Sequence, residues 1–363
     1  MASRWLAVDK TLFVTTVALL ALGLLMVYSA SFPASQQFWD NDTHYLKRQA
    51  VAATVALLAM LATLRVDYRF WQRRPVVGLA LVGTLAALVA VLFMAEITGA
   101  RRWIPLGPFN FQPSEAAKLT VALFLAAYLA RNEEEINDWR NGLLPPLLVV
   151  GTFALLIVRE PDLGTAASVV MVAGIMLCVA GLAWRYIIGF GSLGLALASL
   201  QVMTTGYQTR RILAYLNPWA DPLDVGFQTV QSLIAVGTGG ITGLGLAAGK
   251  QKLSFLPQPH TDFIYAVISE ELGLIGAILV LLGFLIILWR GVRAALLAPD
   301  RFGFYLGIGL TSALVMQALI NMSVVVNLVP TTGIPLPLIS YGGSSLVVSC
   351  ASIGILLNLS QHS

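Results

Sequence analysis

Long apolar runs recur along the whole 363-residue chain and leave little room for any other architecture. They lie near positions 12–30, 49–64, 76–95, 115–130, 143–158, 163–181, 185–203, 263–289, 302–327 and 345–359. A helix of about 20 apolar residues crosses the hydrocarbon core of a bilayer, and a little less suffices where protein shields it. Lipid offers no partner for an open backbone, so such runs are satisfied as helices. The expected fold is an all-α polytopic membrane protein of about ten transmembrane helices, read as one domain over residues 1–363. The first run exceeds the length of a cleavable signal region and is expected to stay as a span.

Charge is scarce: 58% of the residues are hydrophobic and 11% charged, against about 25% charged in soluble proteins. That excludes a soluble enzyme, a disordered chain, a disulfide-stapled secreted domain and a nucleic-acid binder with a broad basic face. The net charge of +4 is too small to imply a polyanionic partner. Cys178 and Cys350 both lie in apolar runs, where free cysteine packs as a small hydrophobe. His44, His260 and His362 are scattered away from them, so no tetrahedral zinc site is implied. A metal ion carried by a substrate phosphate stays open.

Lys and Arg distribute unevenly over alternate connections. With the N-terminus cytoplasmic, that side holds Arg4, Lys10, Arg65, Arg69, Arg73, Arg74, Arg131, Arg140, Arg185, Arg290, Arg293 and Arg301, against Lys47, Arg48, Arg101, Arg102 and Arg159 in the short loops opposite. The positive-inside rule therefore places both termini in the cytoplasm. The one large hydrophilic interruption, residues 204–262 between the seventh and eighth spans, falls outside the cell. Its aromatic start, Tyr215-Leu216-Asn217-Pro218-Trp219, and the amphipathic stretch Phe227 to Val236 predict a folded cap of short interfacial helices.

Polar groups on the outer side gather in four places. Gln112-Pro113-Ser114-Glu115 opens the fourth span with Ser114 as its expected cap. Glu115 and Lys118, three apart, are placed to pair. They are also costly at membrane depth, which makes them candidates for function. Arg159-Glu160-Pro161-Asp162 is either a solvated turn or part of a site. Asp262 ends the long loop, where a helix cap is its ordinary role, and Glu270 and Glu271 follow inside an apolar helix, where one of them is expected to pair with a base. The uncharged stretch Asn327 to Ser345 reads as a rigid re-entrant loop, tolerable at depth when buried or lining a cavity. Gly243-Leu244-Gly245-Leu246-Ala247-Ala248 fits a dinucleotide fingerprint but has no preceding strand, and no nucleophile elbow or Walker sequence occurs.

From spacing and composition alone, the chain is an enzyme on a lipid-linked substrate or a transporter. Together, Ala100-Arg101-Arg102-Trp103-Ile104, Gln112-Pro113-Ser114-Glu115, Glu160-Pro161-Asp162-Leu163-Gly164-Thr165, His260-Thr261-Asp262-Phe263 with Glu270-Glu271-Leu272-Gly273, and Pro335-Leu336-Pro337 with Ser340-Tyr341-Gly342-Gly343-Ser344-Ser345 closely resemble the SEDS family (shape, elongation, division and sporulation), which includes FtsW and RodA. Tyr28-Ser29-Ala30-Ser31, Asn217-Pro218-Trp219 and Gln231-Ser232-Leu233 look more like the division branch, FtsW. Gly333-Ile334-Pro335-Leu336-Pro337 looks more like RodA, and the balance favours FtsW.

The resemblance implies a peptidoglycan glycosyltransferase that polymerises lipid II into glycan strands on the outer face of the bacterial cytoplasmic membrane. Its implied partners are a class B penicillin-binding protein, the transpeptidase, and the divisome or elongasome proteins; nucleic acid is not among them. The family's essential loop aspartate falls on Asp262, its motif tryptophan on Trp103 and its fourth-helix polar pair on Glu115 and Lys118. Many members carry Glu where this chain has Gln258. Asp262 is expected to act as general base, with Arg101, Arg102, Lys118, Arg210 and Lys250 binding pyrophosphate and His260, Thr261, Ser340 and Tyr341 in support. No protein-held cofactor is implied; a divalent cation, Mg or Mn, stays open. Two rivals remain, a lipid II flippase and a non-catalytic scaffold for the transpeptidase. The charges gather at the outer boundary rather than the midplane, unlike a transporter's, and a scaffold leaves the costly Glu115, Lys118 and Asp262 without a purpose.

Overall fold

The computed structural model describes residues 8–94, 101–106, 109–204, 206–253 and 255–362. Arg4, Gly99, Ala100 and Gly107 lie outside them. The chain runs α1 (Lys10–Trp39), α2 (His44–Arg65), α3 (Arg74–Val91), a two-stranded antiparallel hairpin of β1 (Ile104–Leu106) and β2 (Phe109–Phe111), α4 (Pro113–Asn132), α5 (Leu144–Arg159), α6 (Leu163–Val179), α7 (Trp184–Thr204), α8 (Gly206–Leu216), α9 (Phe227–Gly239), α10 (Ile264–Leu296), α11 (Arg301–Val325) and α12 (Gly343–Ser360). The ten expected spans correspond to α1–α7 and α10–α12. Among the described residues, seven of them, α1, α2, α3, α5 with its leading π-turn, α10, α11 and α12, are long and apolar enough by themselves to cross a membrane. Of the remaining three, α6 is shorter and α4 carries Glu115, Lys118 and Arg131.

Side-chain caps set several helix starts. Asp9, Asp162 and Asp300 accept from the backbone N–H of Leu12, Thr165 and Gly303 at 3.0, 3.0 and 2.8 Å. The expected cap of α4 is displaced. Pro113, with its φ preset for a first helical position, starts the helix two residues earlier, so Gln112 is the cap residue and Ser114 sits inside the first turn. Ser114 accepts instead from the Gln112 side-chain amide at 3.0 Å.

The long connection folds as expected into short helices, α8 and α9, with a 3₁₀ turn at Pro218–Ala220 between them. The Ser232 hydroxyl on α9 donates to the carbonyl of Val325 at 2.8 Å, tying this cap to the end of α11. Beneath it α10 is broken at Gly273, whose φ of +67° suits glycine. The segment after α9 satisfies the backbone groups the break sets free. Leu244 and Gly245 donate to the carbonyls of Glu270 and Glu271, both at 3.0 Å, while Leu274 and Ile275 donate to Gly240 and Ile241. A helix interruption at membrane depth is tolerable when neighbouring protein supplies such partners.

The most buried helices are α11 and α12, α11 lying against α4 and α10 and α12 against α2. The uncharged stretch after α11 tucks Leu336, Leu338 and Ile339 into this core. From Ile334 to Ser340 it is a largely buried loop, whereas Leu328 near its start stays exposed.

Candidate active site

Asp262 stands at the end of the long connection, one residue before the cap position of α10, which is Phe263. Its carboxylate is therefore not used as a helix cap. It faces a cavity of about 150 Å³ whose lining includes Arg211, Gln258, Asn321, Thr331 and Gly333. Gly333 has a φ of +71°, and a Cβ there would lie 3.5 Å from Asp262 Oδ2. The glycine lets the loop backbone close over the carboxylate. Gln258, across the cavity, holds a left-handed φ of +48°, a strained conformation for a residue other than glycine.

The loop carrying Asp262 is fixed from two sides. Asn321 on α11 donates through its amide to the carbonyls of both Asp262 and Ile334 at 2.8 Å. Ser340 donates to the carbonyl of Thr261 at 2.6 Å and accepts from the N–H of Leu336 at 2.8 Å. The Tyr341 N–H donates to the carbonyl of His260 at 2.9 Å. From α2, Gln49 donates to the Ser340 carbonyl at 3.1 Å and accepts from the Gly342 N–H at 3.3 Å. Thr261, Ser340 and Tyr341 thus act through the backbone around Asp262.

Charge near the cavity is mixed. Burial pushes the Asp262 carboxyl up to about 6; Arg211 and Arg102 oppose this and Asp162 adds to it. A carboxylate in that range is ionised near neutral pH yet basic enough to accept a proton. Arg211, on α8, donates to the carbonyl of Thr331 at 2.8 Å. The neighbouring Arg210, expected to bind pyrophosphate, turns outward to an exposed pair with Asp224 at 3.6 Å. Consecutive positions on a helix lie about 100° apart, and nothing in the local sequence says which arginine faces in.

Arg102 grips the turn between α5 and α6, donating to the carbonyls of Glu160 and Pro161. Within that turn Asp162 accepts from Thr165 through both carboxylate oxygens, at 3.0 and 2.9 Å, and from Gln112 at 3.4 Å. Glu160 is fully buried, and neither carboxylate oxygen has a hydrogen-bond partner among the described residues. Burial, reinforced by Asp162 and opposed by Arg102, raises it to about 8.

The other expected cations stand apart from the cavity. Arg101 is exposed and donates to Leu92. Lys118 is buried and does pair with Glu115, at 2.8 Å; its ammonium also donates to the side chain of Gln317, which in turn donates to the carbonyl of Pro335 at 2.9 Å. Lys250 is exposed, and its backbone N–H is held by Glu270 at 2.8 Å. Trp103 is half-buried just before the hairpin. The base expected for the tandem glutamates is Lys252, 2.6 Å from Glu271.

Arg211, Asn321 and Gln49 were not singled out by sequence reasoning. Gln317 and Asn321, four apart in an otherwise apolar run, carried a signal: polar side chains on one face of a spanning helix mark an inward-facing polar site. Among the described residues no group of three or more His, Cys, Asp or Glu is disposed to hold a metal ion.

Comparison with known proteins agrees with this picture. The FtsW/RodA/SpoVE family model, described as cell cycle protein, matches residues 10–363. Stage V sporulation protein E of Bacillus subtilis is 41% identical over 100% of both chains. The probable peptidoglycan glycosyltransferase FtsW of Geobacter sulfurreducens is 43% identical over 98% of this chain and 95% of its own. A solved structure described as showing structural coordination of polymerization and crosslinking by a peptidoglycan synthase complex matches with a TM-score of 0.79 and 32% identity, covering 98% of each chain. The rod shape determining protein RodA of Thermus thermophilus matches at 0.69 and 30%, over 98% of this chain and 97% of its own.

Proposed function

Because the chain belongs to the FtsW/RodA/SpoVE family, we propose that it is a peptidoglycan glycosyltransferase that polymerises lipid II on the outer face of the bacterial cytoplasmic membrane. The observation that carries this reading is Asp262: a carboxylate raised to about 6, aimed into a cavity beside Arg211, with the backbone around it held by the side chains of Asn321 on α11 and Ser340 on the re-entrant loop.

The reaction is an inversion at the anomeric carbon of one lipid-linked sugar. The hydroxyl oxygen of a second lipid-linked saccharide forms the new bond to that carbon. The bond to the phosphate oxygen breaks, and the lipid diphosphate leaves with the electron pair. Asp262 takes the proton from the attacking hydroxyl. Arg211 neutralises phosphate charge at the cavity, and Arg102 supports it through the turn at Glu160 and Pro161. Preorganised charge of this kind supplies much of the rate enhancement in group transfer. A class B penicillin-binding protein receives the strand for crosslinking, by analogy with the similar synthase complex, in which polymerization and crosslinking are coordinated.

The test is polymerisation of purified lipid II by the purified protein with its transpeptidase. Asp262→Asn keeps the size and much of the hydrogen bonding but cannot accept a proton at neutral pH. General base catalysis is worth about 100- to 10,000-fold, so the rate should fall at least by the lower factor while expression persists. A variant that retains more than about a tenth of the parent rate overturns the assignment of the base. A parent that makes no glycan leaves the flippase and scaffold readings standing. For orientation, Leu223→Cys in a background lacking Cys178 and Cys350 should react with an impermeant thiol reagent on intact spheroplasts; labelling only after lysis reverses the topology.

A further inference from the structure

The cavity beside Asp262, about 150 Å³, is small against the roughly 300 to 1,000 Å³ typical of a ligand pocket. It does not hold two lipid-linked saccharides. A polymerase must, so part of the substrate pair lies on another surface within reach of the same loop.

That loop has a second face. Gln258 and Asp262 line the cavity, whereas the ring of His260 turns to α2, with its centroid 4.8 Å from Tyr45 and 5.6 Å from Tyr341. Tyr45 and Tyr341 meet edge-to-face at 5.3 Å. All three rings are half-buried and so keep part of their surface open. Next to them Trp39, 53% exposed, stacks flat on His44 with centroids 4.1 Å apart. The same end of α2 carries Lys47, exposed, and Arg48, half-buried, whose charge acts on the Tyr341 phenol. α2 begins without a side-chain cap, which leaves the positive end of a helix dipole beside these cations.

Two further observations point to a ligand. His44 Nε2 and His260 Nδ1 are both buried, with no hydrogen-bond partner among the described residues. Burial also holds the His260 imidazole down to about 4, so near neutral pH it is uncharged. Aromatic faces, neutral polar nitrogens and a pair of cations are what a sugar joined to a diphosphate requires.

We propose that Trp39, Tyr45, His260 and Tyr341, with Lys47 and Arg48, form a second substrate subsite on the opposite face of the 257–262 loop, which takes the sugar and diphosphate of a polyprenyl diphosphate-linked saccharide. This deepens the polymerase reading and rests on it. Asp262 and Arg211 on one face of the loop and the cations of α2 on the other give each of the two lipid-linked saccharides a face of its own.

The test uses the full chain in phosphatidylcholine nanodiscs, with a benzophenone side chain at position 42, an exposed turn site between α1 and α2. Illumination should capture fluorescent lipid II. Unlabelled lipid II and undecaprenyl diphosphate should displace it and phosphatidylglycerol should not; displacement by phosphatidylglycerol as effective as by lipid II overturns the proposal and leaves a contact for anionic lipid only. In the turnover arm, Arg48→Gln and Lys47→Gln should each raise KM for lipid II, about tenfold for Arg48→Gln, the size expected for a charge-assisted contact, at an unchanged melting temperature. A KM within about twofold of the parent in both variants sinks it. Should the parent fail to polymerise at all, the function proposed above is wrong, while capture and displacement still decide whether this surface binds the lipid-linked sugar.

Discussion

Lys252 and Glu271 meet at 2.6 Å inside the protein, with the Ser29 hydroxyl donating to Glu271 at 2.7 Å and accepting from Lys252 at 2.8 Å. Three distant parts of the chain converge there: α1, the segment after α9, and the last turn of α10 before its break. The backbone N–H of Ala247 also donates to Glu271, and those of Lys250 and Gln251 to Glu270. The tandem glutamates therefore hold the cap onto the short half-helix that begins just after Asp262.

Removing one partner of such a pair strands a buried charge, at a cost of about 3 to 5 kcal/mol. Lys252→Met and Glu271→Gln should each lower the melting temperature in detergent, and the double variant should lose less than the two singles added together. Strict additivity in the melting data would mean that the pair is not coupled.

Glu115 and Lys118 pose the same question with a further link, because Lys118 also holds Gln317, which bonds the Pro335 carbonyl. Glu115→Gln with Lys118→Met should fold better than the sum of the single losses predicts. Its polymerisation rate should nevertheless stay below about a tenth of the parent, since a small displacement of positioning groups is costly. A folded double variant with full activity would confine the pair to structural support.

Glu160 is a carboxyl whose folded value, about 8, lies well above its ordinary 4.5. Between those values the folded state binds more protons than the unfolded one, so stability falls as pH rises through this window. Below it the penalty is absent; above it the penalty is complete. Glu160→Gln removes the ionisation, so its melting temperature should exceed the parent's at pH 8 and the advantage should shrink toward pH 4.5. A constant difference across that range would show that Glu160 does not titrate there.

Each of the ten apolar runs falls on a helix, and seven of those helices are long and apolar enough to cross a membrane among the described residues, because such a helix needs only length and apolarity, both written locally. The Glu115–Lys118 pair was legible for a similar reason: positions three apart share one helical face. What stayed hidden depended on contacts between distant segments. Whether Arg210 or Arg211 faces Asp262 is set by how α8 lies against the loop at Thr331. The function of Glu270 and Glu271 as anchors depends on backbone N–H groups about 20 residues upstream, which no side-chain pattern announces. Ser114 is not the cap because Pro113 takes the first helical position, where its preset φ outweighs the capping preference of the serine one residue later.

The last prediction joins Asp262 to Arg211 through pH. The base works only when ionised, so kcat/KM for lipid II should rise with pH along a limb centred near 6, the value set by burial and Asp162 against the two arginines. This ratio reports the free enzyme's essential base. Arg211 favours the carboxylate; its loss leaves burial less opposed, so Arg211→Gln should move the limb to higher pH as well as lower the plateau through the missing phosphate contact. Arg211→Lys keeps the charge while giving up the planar fork, so its limb should stay near the parent's even if its plateau falls. Initial rates from pH 5 to 8.5 separate the two effects. A limb that stays in place in Arg211→Gln would mean that Arg211 does not act on the group that titrates, or that this group is not Asp262; a matching Asp262→Glu profile, with its limb moved and its rate partly kept, tells these apart.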